Sequence, residues 1–389
     1  MKSKRRQYYS LIDKMYEMKN LHEAWLSVKK NQGSGGIDGV SIGMYEKNVS
    51  ANLRELQRLL QQGRYVPDPV RRRYIEKEDG KLRPLGIPTI RDRVCQQAVR
   101  QIIEPIFEQD FYYYSFGFRA GYSAHQAIRT IRRAKRSGYE HVVDLDIVSF
   151  FDEIPHEGLM EKVRERITDG KVLTLIRGWL TAGVMEDDQF HESEIGSPQG
   201  GVISPLLANI YLNSFDWGMK EKGFAVVRYA DDAVILCKTK EEAEAAYREA
   251  KRILEEELYL RMHPEKTKVV HFDEGFRFLG FDHWKDYIIV AEAKVKKFKD
   301  KIRKVTRRQQ GKNLEEMLKR LNEVVRGFGN YFGIGNVKKK FVRLDKWMRM
   351  RVRAFMRGKK STVSNRLIPN KVLESAGMVF LTSVLTTCS

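Results

Sequence analysis

The sequence predicts an α+β chain, with helical segments at both ends and a mixed sheet between them. Three observations carry this. Residues 1 to 65 place apolar side chains such as Leu53, Leu56, Leu59 and Leu60 at helical intervals. From Val70 to about Phe281 short apolar runs alternate with helical patterns, as in a sheet covered on one side by helices. Beyond that point the period returns to that of a helix and stays there.

Taken in order, the first helical block is interrupted by the loop Asn31-Gln32-Gly33-Ser34-Gly35-Gly36-Ile37-Asp38-Gly39, and Gly63 with Pro67 and Pro69 ends it. The last block divides into three amphipathic helices. Val295, Phe298, Ile302 and Val305 mark the first; Leu314, Met317, Leu318, Leu321, Val324 and Val325 the second; Phe341, Leu344, Trp347, Met348 and Val352 the third. At 389 residues and 42% hydrophobic content the chain is long enough for two or three packed domains. No internal repeat or low-complexity tract is present.

Several classes drop out. Cys95, Cys237 and Cys388 are far apart and odd in number, so neither a disulfide framework nor a thiolate metal site has material, and a reducing cytoplasm is the expected location. No run of about 18 apolar residues occurs, and the basic start Met1-Lys2-Ser3-Lys4-Arg5-Arg6 lacks the apolar segment of a signal peptide, so neither a membrane nor secretion is expected.

Charge is more specific. The formal net charge is +20, and residues 285 to 360 hold 25 Lys and Arg against 7 Asp and Glu, a local excess of 18. A merely solvated surface would intersperse its signs. A local excess accompanied by aromatic residues at helical spacing points instead to a polyanion, and so to nucleic acid.

Two runs carry carboxylates suited to chemistry. Val142-Val143-Asp144-Leu145-Asp146-Ile147 reads as a strand whose period of two puts Asp144 and Asp146 on one face and Val143, Leu145 and Ile147 on the other. Alone, this is equally a strand whose polar face meets water. The second run, Phe224 to Leu236, reads as two apolar strands joined at a tight turn through Tyr229-Ala230-Asp231-Asp232. Aspartates suit turns, but adjacent acids beside a buried sheet repel unless a cation lies between them. If the hairpin lies beside the first strand, Asp146, Asp231 and Asp232 converge as a ligand set for two Mg2+ ions, with Mn2+ as a substitute, about 4 Å apart for in-line phosphoryl displacement.

At this point the sequence resembles a reverse transcriptase, and more narrowly the protein encoded by bacterial group II introns. The likeness runs from about Asn31 to Lys360. It takes in the loop from Asn31 to Ser41, Lys81-Leu82-Arg83-Pro84-Leu85-Gly86-Ile87-Pro88 with Asp92-Arg93, and Ser115-Phe116-Gly117-Phe118-Arg119. It continues through Asp146 to Asp152, Gly196-Ser197-Pro198-Gln199-Gly200-Gly201, Tyr229 to Asp232, Glu265-Lys266-Thr267 and Phe278-Leu279-Gly280-Phe281.

The resemblance implies a right-hand polymerase fold with an antiparallel sheet. Fingers and palm would occupy 1–282, including an N-terminal extension 1–65; a three-helix thumb or maturase domain would occupy 283–360, and a diverged or truncated tail 361–389. It implies Asp146 and Asp231 as metal ligands with Asp232 in support. Phe151 resembles the steric gate against a ribose 2′-hydroxyl, although spacing alone reads it as a core aromatic. Lys77 and Arg83, otherwise surface charges, resemble the residues that hold the incoming triphosphate. Gln199 and Gly200 match the motif lining the nascent base pair, where glycine permits close backbone approach. Lys266 matches a cation near the leaving pyrophosphate, and the loop from Asn31 resembles an insertion that covers the template.

Asn330-Tyr331-Phe332 and Phe341 to Arg351 resemble the maturase signature. Arg119, Lys338, Lys339, Lys340, Arg343, Arg349, Arg351 and Arg353 are the implied nucleic-acid contacts. A helix in a bundle explains the apolar positions there but not the charge.

The implied activity is RNA-directed DNA synthesis from an RNA template, a DNA or RNA primer and deoxynucleoside triphosphates, with intron RNA binding, splicing and retrohoming. The alternatives are an RNA-binding splicing cofactor with secondary polymerisation and a non-intron, defence-associated enzyme. No endonuclease is expected, because no His and Cys cluster follows the maturase segment.

Overall fold

The computed structural model describes residues 6–76, 80, 82–187, 189–197, 199–307, 311, 313–358 and 367–385. The chain packs as two compact units, Met1–Val269 and Val270–Ser389.

In the first unit the expected helical start is present as Ile12–Tyr16, Met18–Asn31, Ile42–Lys47 and Val49–Gln61. Leu53, Leu56 and Leu60 are buried, with Leu59 half-buried at the stripe's edge. They share a core with Leu21, Ala24, Trp25 and Val28 of Met18–Asn31 and with Val94, Cys95, Ala98 and Val99 of the helix Ile90–Glu108. That helix begins where Thr89 Oγ1 accepts from Asp92 N at 3.2 Å, satisfying one of the donors a helix start leaves open.

Two four-stranded sheets follow. The first has the order Leu82–Ile87, Val70–Glu76, Val184–Glu186, Gln189–His191. Val70–Glu76 pairs antiparallel with Leu82–Ile87, Arg71 opposite Ile87, and parallel with Val184–Glu186, Val70 opposite Val184. The second has the order Ala225–Tyr229, Asp232–Cys237, His141–Leu145, Lys268–His271. Its central strands are apolar and inaccessible, with Val142, Val143, Val234 and Ile235 each at 0% exposure. Such strands need cover, and the helices Ser204–Glu221 and Lys240–Arg252 lie against this sheet. Cys95 and Cys237 are buried free thiols; Cys388 lies outside the described residues.

The second unit opens with a three-stranded meander, Phe276–Phe278, Phe281–Trp284 and Tyr287–Val290, followed by the helices Glu292–Val305, Leu314–Phe332 and Lys338–Met356. Val295, Phe298, Ile302, Met317, Leu318, Leu321, Val325, Phe341, Leu344, Met348 and Val352 are buried, as their spacing requires. Val305, Leu314, Val324 and Trp347 are half-buried.

The tail adds two short helices, Asn370–Ser375 and Leu381–Leu385. The latter packs on the two long helices Leu314–Phe332 and Lys338–Met356. Asp345, an isolated acid in a basic helix, is 2% exposed and accepts from Leu381 N at 2.8 Å, Thr382 N at 3.1 Å and Thr382 Oγ1 at 2.7 Å. Among the described residues no helix is long and apolar enough to cross a membrane.

Candidate active site

The first carboxylate is placed by the strand His141–Leu145. Asp144 pairs with Val234 and Leu145 with Ala233 in antiparallel register. One step further the register brings Asp146 level with Asp232, and residues directly opposite in such a ladder share a face. Asp144, Asp146 and Asp232 therefore lie on the same face of the sheet, and Asp231 sits in the adjoining two-residue loop, closed by the pair Tyr229 and Asp232.

The backbone around Asp146 is held on its other side. Asp146 O accepts from His263 N at 2.8 Å, Asp146 N donates to Thr267 Oγ1 at 3.3 Å, and Val148 N donates to Arg261 O at 2.9 Å. Ser149 then adopts φ +38, a left-handed conformation that breaks the strand and starts the turn Phe150–Glu153. The exposed Lys266 turns back over the strand end, its Nζ 2.8 Å from Asp146 Oδ2.

The electrostatics follow from crowding. Burial, then the charges of Asp232 and Asp146, push the Asp144 carboxyl up to about 7. Burial is also the main reason that Asp231 is raised; Asp146 adds to it, while hydrogen bonding to its backbone and the charges of Arg83 and Arg228 act against it. Among the described residues no three His, Cys, Asp or Glu side chains already converge as a metal-binding group. The donors nevertheless suit a hard divalent cation, being carboxylate oxygens. Asp146 has the ammonium of Lys266 as its partner.

A cavity opens beside the short helix Phe150–Glu153, lined by Phe151, Arg72, Pro84, Gly86, Ser197 and Gln199. Phe151 is 8% exposed and packs edge-to-face on Phe150 at 5.2 Å. Its carbonyl accepts from Ser197 N at 2.6 Å, which ties the loop before Gln199 to the short helix that follows Asp146. Gln199 is held on the strand Leu82–Ile87: its carbonyl accepts from Gly86 N at 2.7 Å and its Oε1 from Arg83 Nε at 2.9 Å. Gly200 has φ +120, and a Cβ there would stand 2.5 Å from Gly86 O, so glycine is required by both backbone angle and space. Lys77 lies outside the described residues.

The expected nucleic-acid contacts differ in how far their charges are engaged within the fold. Arg119 is 7% exposed, forked on Glu108 and donating to Tyr112 O at 2.8 Å and Ser115 O at 2.6 Å, so its donors are spent inside the fold. Arg353 is likewise buried, donating to Ile368 O and Asn370 Oδ1, both at 2.8 Å. Lys340 pairs with Glu292, and Arg351 donates to Thr306 Oγ1 at 3.1 Å. Arg349 lies over the Phe380 ring at 5.4 Å. Lys338, Lys339 and Arg343 are exposed.

Sequence reasoning passed over Arg228, Asn209 and Asp216. Arg228 carried a signal, a lone charge within the apolar strand Ala225–Tyr229. Its partner Asp216 lies on another element, where no spacing rule finds it.

Residues 75–283 match the family model of reverse transcriptase (RNA-dependent DNA polymerase). The chain belongs to the reverse transcriptase family. Residues 295–371 of this reverse transcriptase match the group II intron, maturase-specific domain, so it is of the intron-encoded reverse transcriptase and maturase type. It is 39% identical to Protein YkfC of Escherichia coli (strain K12) over 64% of this chain and 76% of that one. It is 32% identical to the group II intron-encoded protein LtrA of Lactococcus lactis subsp. cremoris, over 67% of this chain but 54% of the relative. The chain thus spans about half the length of LtrA. Among solved structures it aligns with a chain of a partial Cas6-RT-Cas1–Cas2 complex at 27% identity, covering 64% of this chain and 43% of that one, with a TM-score of 0.41. By family this reverse transcriptase is an RNA-directed DNA polymerase of right-hand fold that uses nucleotides, binds RNA and depends on a divalent metal.

Proposed function

We propose that the chain copies an RNA template into DNA with Mg2+ held by Asp146 and Asp231 and supported by Asp232. The observation that carries this is the register that puts Asp146 level with Asp232 beside the turn bearing Asp231. When bound, two such ions would lower the pKa of the primer 3′-hydroxyl and neutralise charge on the leaving pyrophosphate.

The remaining roles belong to the chain's own side chains. Arg83, kept in line by Gln199 Oε1, is suited to grip the triphosphate of the incoming nucleotide, with Lys77 as its companion. Phe151, in the wall of the neighbouring cavity, presents an apolar edge that a ribose 2′-hydroxyl would meet without a hydrogen-bond partner. Gln199 and Gly200 line the base pair being formed. Lys266, paired with Asp146, is the cation that would neutralise the departing pyrophosphate and donate a proton to it.

In the second unit the exposed face bearing Lys338, Lys339 and Arg343 is assigned to phosphates of intron RNA, in support of splicing and retrohoming. The cytoplasm is the proposed compartment. The deciding experiment is primer extension on RNA with Mg2+ and deoxynucleotides. Asp231→Asn is expected to abolish extension while RNA affinity stays unchanged; retained extension would overturn the metal assignment.

A further inference from the structure

The turn that carries Asp231 is held from behind by a buried polar network with no role in the chemistry proposed above. Arg228 is 1% exposed and Asp216 0%. Arg228 Nε donates to Asp216 Oδ1 at 2.8 Å and Nη2 to Oδ2 at 2.5 Å. Arg228 Nη1 donates to Asn209 Oδ1 at 3.0 Å and to Ala230 O at 2.8 Å. Asn209 and Asp216, seven residues apart and so two turns along the helix Ser204–Glu221, present one face to the guanidinium.

The same peptide is pressed from the other side. Asn209 Nδ2 donates to Gly117 O at 2.9 Å, and a Cβ on Gly117 would stand 2.2 Å from Ala230 N. Arg228 N donates to Tyr114 O at 3.0 Å and Arg228 O accepts from Phe116 N at 2.8 Å, so the segment before Gly117 runs along the hairpin as an extra edge. Between these two supports Ala230 is kept at φ +60, a conformation that side chains other than glycine adopt only where the surroundings impose it.

We infer that Arg228, Asp216 and Asn209 are positioning residues for the polymerase reaction, fixing the Ala230 carbonyl so that the Asp231 carboxylate is presented to the metal in one orientation. This rests on the assignment of Asp231 as a metal ligand. A buried ion pair is poor evidence of stabilisation, because apolar residues of similar volume often pack as well. What apolar packing cannot supply is a donor to the Ala230 carbonyl. The network is therefore required at the turn itself, and the cost of its loss falls on geometry at Asp231 as well as on folding.

The test compares wild type, Arg228→Lys, Asn209→Ala and the double variant Arg228→Met with Asp216→Leu, which removes both charges together and leaves no lone buried ion. Primer extension is followed across a Mg2+ titration, with rates normalised to burst amplitude so that loss of folded enzyme does not enter kcat. The inference expects primer–template affinity near that of wild type for the double variant, with a lowered melting temperature because the Ala230 carbonyl and Asn209 Oδ1 lose their donor. It expects kcat to fall by about a hundredfold in the double variant and Arg228→Lys and by about tenfold in Asn209→Ala. The Mg2+ midpoint should rise in all three. Asn209→Ala keeps the ion pair intact and decides the matter should the others fold poorly: an unchanged kcat and Mg2+ midpoint in that variant would reduce the network to a structural one. Asp231→Asn runs alongside. Full extension by that variant would overturn the carboxylate reading itself, whereas an inactive Asp231→Asn beside a wild-type-like Asn209→Ala would overturn only the positioning role.

Discussion

Lys266 and Asp146 form an ion pair, Nζ to Oδ2 2.8 Å, across the end of the strand His141–Leu145. The divalent ion proposed at Asp146 would bind a carboxylate that this ammonium already holds through Oδ2, so the lysine and the metal would compete for it. Lys266→Met should lower the Mg2+ concentration needed for half-maximal extension. It should also reduce kcat by about a hundredfold, because the cation proposed to serve the pyrophosphate is gone. A Mg2+ titration of single-nucleotide extension reads both; a midpoint that does not fall would remove the competition.

Phe151 lines the cavity next to Gln199 and is only 8% exposed. Phe151→Ala opens space at that wall, and incorporation of ribonucleotides relative to deoxynucleotides should rise by about tenfold or more. The ratio of the two kcat/KM values measures it, and an unchanged ratio returns Phe151 to the core.

The second unit should be acid-sensitive through His283. The ring is 2% exposed, stacks on Phe276 at 4.9 Å, and its Nε2 has no hydrogen-bond partner among the described residues. Burial lowers its pKa from 6.5 to about 4, against a small opposing effect of Asp282. Between those values the unfolded chain binds the proton and the folded one does not, so stability is full above about pH 6.5 and is lost as pH falls toward 4. The shift corresponds to roughly 3 kcal/mol. His283→Phe should flatten that slope, as followed by urea unfolding at a series of pH values.

Asp345 is the anchor of the tail helix Leu381–Leu385. Asp345→Ala strips three donors of their acceptor and should cost about 1–3 kcal/mol of stability. Faster proteolysis near residues 376–381 than in wild type would report it, and protection equal to wild type would argue against the anchor.

Lys338, Lys339 and Arg343 are exposed on one helix of the maturase segment. Changing all three to Ala should weaken RNA binding and reduce the slope of log K against log salt by about 2 to 3. The same change at Arg353, which is bonded to Ile368 O and Asn370 Oδ1, should lower stability and leave the slope unaltered.

What sequence periodicity conveyed was each element's own face. The stripes Val295–Phe298–Ile302 and Phe341–Leu344–Met348 are buried as spaced, because a helix repeats on its own axis whatever it packs against. The pairing of Asp144 with Asp146 was also legible, since a strand's period is local. The burial of Arg119 and Arg353 was not. Their acceptors are largely backbone carbonyls and a carboxylate on other segments, and a charge count cannot tell an arginine facing solvent from one whose donors are consumed within the fold. Asn209 and Asp216 were hidden for the same reason: an isolated acid and amide in a helix acquire meaning only from the strand that the fold lays across them.

The parallel pairing of Val70 with Val184 has a consequence for how this protein comes to exist. The strand His141–Leu145 and its helices lie between those partners in the chain. A nascent chain ending near residue 140 therefore holds only two of the four strands of the first sheet and none of the second. Neither sheet can close until most of the first unit has been synthesised, which makes folding non-local and slow and leaves unpaired edges in the interim. The first unit is therefore inherited from the ribosome as one object, its two sheets closing together late in synthesis rather than one after the other.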